Sequence, residues 1–112
     1  MSERILIVAR LTPGSAPEVA RLFGESDDGE LPRALGVRRR ELYQYRELYF
    51  HVVDFDGPAG QAMTRARERD DFRGLSEELS PHVVPYDPAT WRGPADAMAT
   101  RFYHWTPGGG AQ

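Results

Sequence analysis

GVRRRELYQYRELYFHVVDF, residues Gly36 to Phe55, decides how this chain folds. Val37, Arg39, Glu41, Tyr43 and Tyr45 alternate with Arg38, Arg40, Leu42 and Gln44, and the β-rich run Leu48 to Phe55 alternates again. Successive side chains of a strand point to opposite faces, so alternation in both halves predicts two strands, and their short connection predicts a hairpin. With Arg46 and Glu47 at the tip, Tyr45 pairs with Leu48, Leu42 faces His51 and Arg40 faces Val53. That register makes Arg40 and His51 diagonal neighbours on one face of the sheet, a guanidinium beside an imidazole. A loop one residue longer would turn one strand over and part them.

The flanking segments extend the order to β-α-β-β-α-β. Arg4 to Leu11, rich in Ile and Val, predicts a buried first strand ended by Thr12-Pro13-Gly14. A helix should follow: Ser15 with Glu18 matches a capping box, Pro17 suits a first turn, and Val19, Leu22 and Phe23 form an apolar stripe. Gly24 and the polar run Glu25 to Gly29 end it, with Asp27 and Asp28 in the exit loop, where turn formation is reason enough for them. After the hairpin, Asp56-Gly57-Pro58 breaks the strand. Ala59 to Leu79 has a helical composition that slips phase around Asp70 and Asp71, predicting two helices with an Asp cap between them. Pro81 to Pro94, PHVVPYDPATWRGP, holds four prolines and is expected to be an irregular loop. Ala99 to Thr106, carrying Phe102, Tyr103 and Trp105, is expected as the last strand. Residues 1–106 then make one domain and residues 107–112, with their glycine run, a flexible tail.

This order is that of a ferredoxin-like α+β sandwich, a split βαβ. Helices on one face of four strands leave the other face uncovered and partly apolar. A homodimer of the dimeric α+β barrel type is the expected cover.

Composition narrows the chemistry. At 112 residues the chain is one domain, too small for a Rossmann-size cofactor domain plus a substrate domain. The absence of cysteine removes disulfide scaffolds, thiol nucleophiles and thiolate metal sites together. Acidic residues outnumber the 14 basic ones, all Arg, for a net charge of −3, which argues against a nucleic-acid surface. MSERILIVARL lacks the pattern of a cleavable signal and is too short an apolar run to span a membrane, so a soluble cytoplasmic protein without membrane contact is expected. No His, Asp and Glu spacing suggests a metal, and Gly14, Gly24 and Gly29 do not make a phosphate loop.

ELPRALGVRRRELYQYRELYFHVVDF from Glu30 and PYDPATWRGPADAMATRFYHW from Pro85 resemble the small aromatic polyketide cyclases of the tetracenomycin type. Leu31-Pro32, Gly36 to Arg40, Leu48-Tyr49 before His51, and Phe102-Tyr103 before Trp105 occur in order without large gaps. The resemblance implies a homodimeric, cofactor-free enzyme that closes a ring of a poly-β-keto aromatic intermediate by aldol condensation and loss of water. It also implies contact with polyketide synthase components. Carried over residue by residue, Arg40 and His51 match positions proposed as functional in that family, and Asp27 matches an acidic one. Relatives can have His immediately before that aspartate, where this chain has Ser26.

The residues offer the chemistry such a reaction needs. An imidazole serves as acid and base near neutral pH, worth about 10² to 10⁴-fold, and apolar walls would tune His51 toward the working pH. Arg40 would hold an enolate oxygen, and Asp27 would orient the imidazole or relay a proton. Ser26, Tyr49 and Trp105 are the expected substrate contacts. Each residue also has a plainer reading. A strand His is commonly structural, Arg38 to Arg40 read as ion-paired strand edges with Glu41 and Asp54 at hand, and Trp105 as packing. His82 reads as a surface loop residue, and His104 is left without a role. Two other functions share these features: a cofactor-independent monooxygenase acting on aromatic polyketides, and a non-catalytic polyketide-binding chaperone.

Overall fold

A computed structural model describes residues 3–92, 94–108 and 110–111. In chain order the elements are β1 Glu3–Leu11, α1 Ala16–Asp27, α2 Leu31–Leu35, β2 Val37–Tyr45, β3 Leu48–Phe55, α3 Ala59–Arg67, α4 Asp70–Leu79 and β4 Val83–Val84. A 3₁₀ turn at Pro94–Ala97 and a hairpin of β5 Trp105–Thr106 with β6 Gly110–Ala111 complete it. The main sheet has the order β2-β3-β1-β4 with antiparallel neighbours, the ferredoxin-like arrangement.

The central hairpin has the expected register: Tyr45 pairs with Leu48, Leu42 with His51 and Arg40 with Val53. Arg46 takes a positive φ of 54° at the tip, the sign a primed two-residue turn demands and one that a non-glycine residue adopts at a cost. A bulge at Arg38 breaks the simple alternation, since Val37 pairs with Phe55 while Arg39 pairs with Asp54. Val37 therefore packs on one core cluster and Leu42 on the other, and Arg38 and Arg39 stay outside to pair with Asp56 and Glu41.

Several expectations are corrected. The capping box does not form: Ser15 makes no side-chain cap, and its Oγ lies 2.9 Å from Nδ1 of His82, itself half-buried and not a free surface residue. α1 runs through Gly24 to Asp27, because an interior glycine costs only about 1 kcal/mol against the burial of Val19, Leu22 and Phe23. Asp27 thus ends the helix instead of lying in a loop beyond it. The short α2 is an added element, with Pro32 in its first turn and Gly36 closing it at φ 74°. Two helices do follow the hairpin, but Arg69 occupies the N-cap and Asp70 and Asp71 lie in the first turn of α4, where carboxylates meet the positive end of the helix dipole.

The largest correction concerns the last strand. Val83–Val84, inside the proline-rich segment, is the fourth strand of the sheet, paired with Arg10 and Leu11. Of Ala99 to Thr106 only Trp105–Thr106 is strand, in the separate hairpin with Gly110–Ala111, while Met98 makes a single bridge to Ile7. Alternating Val-Val between prolines is too short to stand out by periodicity; the free edge of β1 recruits it. Gly109 and Gln112 of the expected tail lie outside the described residues.

Helices cover one face of the sheet. One cluster joins Leu31, Leu35, Val53, Phe55, Ala59, Ala62 and Ala66, and another joins Ala9, Leu11, Val19, Phe23 and Tyr49. His51 lies between them along β3, with Tyr49 on one side and Val53 on the other. The opposite face carries half-buried Leu6, Val8, Phe50 and Val52, flanked by the ion pair of Arg4 with Asp54 and by Arg39 with Glu41.

Candidate active site

Three elements build the site. On α1, Phe23, Ser26 and Asp27 are spaced i, i+3 and i+4, so they share one face, and the buried stripe of Val19, Leu22 and Phe23 turns that face to the sheet. On β2, the regular register from the hairpin tip sets Arg40 opposite Val53 on the inner face, and on β3 the alternation buries every second residue, His51 among them. Arg40 is where the elements meet. Its Nε donates to both carboxylate oxygens of Asp27 at 3.2 and 3.0 Å, Nη2 donates to Oδ1 at 2.9 Å, and Nη1 reaches Nε2 of His51 at 2.9 Å. A carboxylate in the last turn of a helix opposes the dipole, and α1 has no basic residue there, so Arg40 supplies the cation this position lacks.

The guanidinium never gives up its proton, so it is the donor to His51. Nε2 is then the acceptor and Nδ1 carries the ring hydrogen. The imidazole is 8 % exposed, and burial first, then the adjacent Arg40 charge, lower its pKa to about 3. The walls therefore push His51 away from neutral pH rather than toward it, and it is a neutral imidazole in the closed site. Two rings pack against it: Phe23, with centroids 5.1 Å apart at 64°, and Tyr49, 6.2 Å apart at 60°. Phe23 also lies 4.9 Å beneath the Arg40 guanidinium carbon. Burial raises the Tyr49 pKa well above its usual value, so its hydroxyl stays protonated.

Of the residues expected at the site, Asp27, Arg40, His51 and Tyr49 come together. Ser26 is half-buried one residue before Asp27, at the inner edge of the same turn. Trp105 stands apart within one chain, 55 % exposed on the separate hairpin. Phe23 is the residue that reading the sequence missed. In the sequence it stands out only as part of the apolar stripe, and its spacing of four from Asp27 is the available signal. A cavity of about 320 Å³ opens between the end of α1, α2 and the start of β2, bordered by Asp27, Pro32, Arg33, Val37 and Asp56. It reaches the Asp27 side of the ion pair and stops short of His51. Among the described residues no group of three or more His, Asp or Glu is placed to hold a metal.

The family model described as polyketide synthesis cyclase matches residues 3–106. Tetracenomycin F2 cyclase of Streptomyces glaucescens is 36% identical over 106 residues, covering 95% of this chain and 96% of that protein. Its solved structure, a type-II polyketide cyclase, superposes with a TM-score of 0.84 and covers 93% of this chain and 97% of that one. The polyketide synthase CurG of Streptomyces cyaneus is 40% identical, with 89% and 94% covered. An uncharacterised protein of Streptomyces coelicolor, SCO5314, is 50% identical, with 93% and 96% covered. A candidate antibiotic biosynthesis monooxygenase from Chloroflexus aurantiacus shares the fold at a TM-score of 0.58 and 12% identity over 78% of this chain and 86% of that one. With its ferredoxin-like sheet, its shared length and this family match, the chain belongs to the polyketide synthesis cyclase family.

Proposed function

We propose that the protein is an aromatic polyketide cyclase that closes a ring of a poly-β-keto aromatic intermediate by aldol condensation and dehydration, without a cofactor. The observation that carries this reading is one guanidinium held between a carboxylate and a buried neutral imidazole in a chain of this family. Substrate enters from the cavity beside Asp27, and a carbonyl oxygen takes over the Arg40 Nη1 donor. That exchange frees the Nε2 lone pair of His51, which removes the proton from the carbon between two carbonyls. Arg40 holds the enolate oxygen in a water-poor site, typically a major term in such catalysis. The enolate carbon attacks the second carbonyl and the new alkoxide takes the proton from His51; the imidazole then removes the remaining proton from that carbon and passes it to the hydroxyl, which leaves as water as the carbon–carbon double bond forms. Asp27 keeps Arg40 aimed throughout. Ser26 and Tyr49 line the substrate's path, and Trp105 is assigned to it through the assembled dimer.

The working form is a homodimer, its open sheet faces and the Pro81 to Pro94 segment forming the interface. It acts in the cytoplasm beside polyketide synthase components that deliver the intermediate. Arg40→Ala and His51→Ala test the reading. Each should lower ring closure, Arg40→Ala by about 10² to 10³-fold, with the fold intact by circular dichroism. Wild-type rates and product ratios in both folded variants would return the protein to a polyketide-binding role. Oxygen uptake without added cofactor would make it a monooxygenase instead.

A further inference from the structure

Phe23 is 6 % exposed, which by itself describes any core phenylalanine. Its neighbours set it apart. The same ring lies 5.1 Å from the His51 imidazole and 4.9 Å from the guanidinium carbon of Arg40. Asp27, four residues on along α1, holds the other edge of that guanidinium. One helix face therefore presents to Arg40 both an anion and an aromatic face. Phe23 shares the core cluster of Val19, Ala9 and Leu11 and adds these polar neighbours to it.

We infer that Phe23 is a positioning residue of this site: its ring holds the Arg40 guanidinium and the His51 imidazole against each other and keeps solvent from between them. A cation over an aromatic face gains more once desolvated, and aromatic pairs prefer tilted to parallel stacking. An aliphatic side chain of similar volume supplies the burial without the ring quadrupole. The ionisable groups that face His51 are Arg40 from β2, Asp27 from α1 beyond it and Tyr49 from its own strand, while β1 offers apolar Ile7 opposite.

The kinetic part of this inference rests on the cyclase reading; the structural part does not. Phe23→Leu should remain folded, raise the His51 titration midpoint read by NMR from about 3 toward the ordinary range, and lower kcat for ring closure roughly tenfold with KM little changed. Phe23→Met, also without a ring, is read the same way if leucine is not tolerated. Leu22→Ala, in the same buried stripe, should lose stability yet keep the His51 titration and kcat. In the unaltered protein the δ-methylene protons of Arg40 should be shifted upfield by the ring current. Wild-type titration and kcat in the ring-less variants, an equal shift in Leu22→Ala, or no ring-current shift would each overturn the inference. A wild-type protein that closes no ring while Phe23→Leu still moves the His51 titration would sink the cyclase reading and leave the positioning role standing.

Discussion

Arg40 donates to Nε2 of His51 across 2.9 Å, so the buried imidazole is already hydrogen-bonded to the cation beside it. That bond fixes the imidazole tautomer and occupies the lone pair that would accept a substrate proton. In the proposed ring closure, a ligand oxygen that takes Arg40 away from His51 gains an electrophilic donor and releases a base in the same movement.

Acid should destabilise the protein through His51. Its folded pKa of about 3 lies below the unfolded value near 6.5, so the unfolded chain binds the proton first. The stability is fully present above about pH 6.5 and falls as pH drops toward 3, by at most about 1.4 kcal/mol per pH unit from this group. His51→Gln keeps an acceptor for Arg40 and removes the titration, so its denaturant midpoint should fall less between pH 6 and about 4 than that of the unaltered protein. Equal slopes in the two would place His51 in solvent.

Ser26→His should place a second imidazole one residue from Asp27, in the turn that borders the ion pair. A group titrating near pH 6.5 then joins the site, and the pH profile of turnover or the distribution of cyclised products should change. An unchanged profile and product pattern in the folded variant would show that Ser26 lies off the substrate's path.

Ser15→Ala should cost about 1 kcal/mol of stability and leave product ratios alone. The Ser15 hydroxyl and His82 Nδ1, 2.9 Å apart, tie the start of α1 to the turn before β4, and a partly buried hydrogen bond of this kind contributes about 0.5 to 1.5 kcal/mol. Chemical denaturation measures the first, and product analysis the second. A change in products with unchanged stability would mean that the pair belongs to a site.

Sedimentation at micromolar concentration should give a dimer, because Leu6, Val8, Phe50 and Val52 form an apolar band on a sheet face that none of the helices among the described residues covers. Val52→Asp should shift it to monomer by placing a charge in that band. A monomeric unaltered protein would refute the interface.

Alternation in Gly36 to Phe55 by itself determined the hairpin, its register and the meeting of Arg40 with His51, because a two-residue loop leaves one pairing that buries both apolar sets. The order of elements likewise determined the ferredoxin-like sheet, and alternation alone separates outer Arg39 from inner Arg40, whereas the outward place of Arg38 needs the bulge. Tertiary structure decided the rest. The fourth strand was chosen by the free edge of β1, which pairs with Val83 and Val84 although nothing in their local pattern marks them. Ser15 gave up its cap for a partner 67 residues away, a choice no local spacing encodes. The inward turn of Val37 depends on a bulge, and the neutrality of His51 depends on what α1 lays over it. Local sequence specifies backbone periodicity, but a buried side chain's charge state and partners are set by groups that only folding brings within reach.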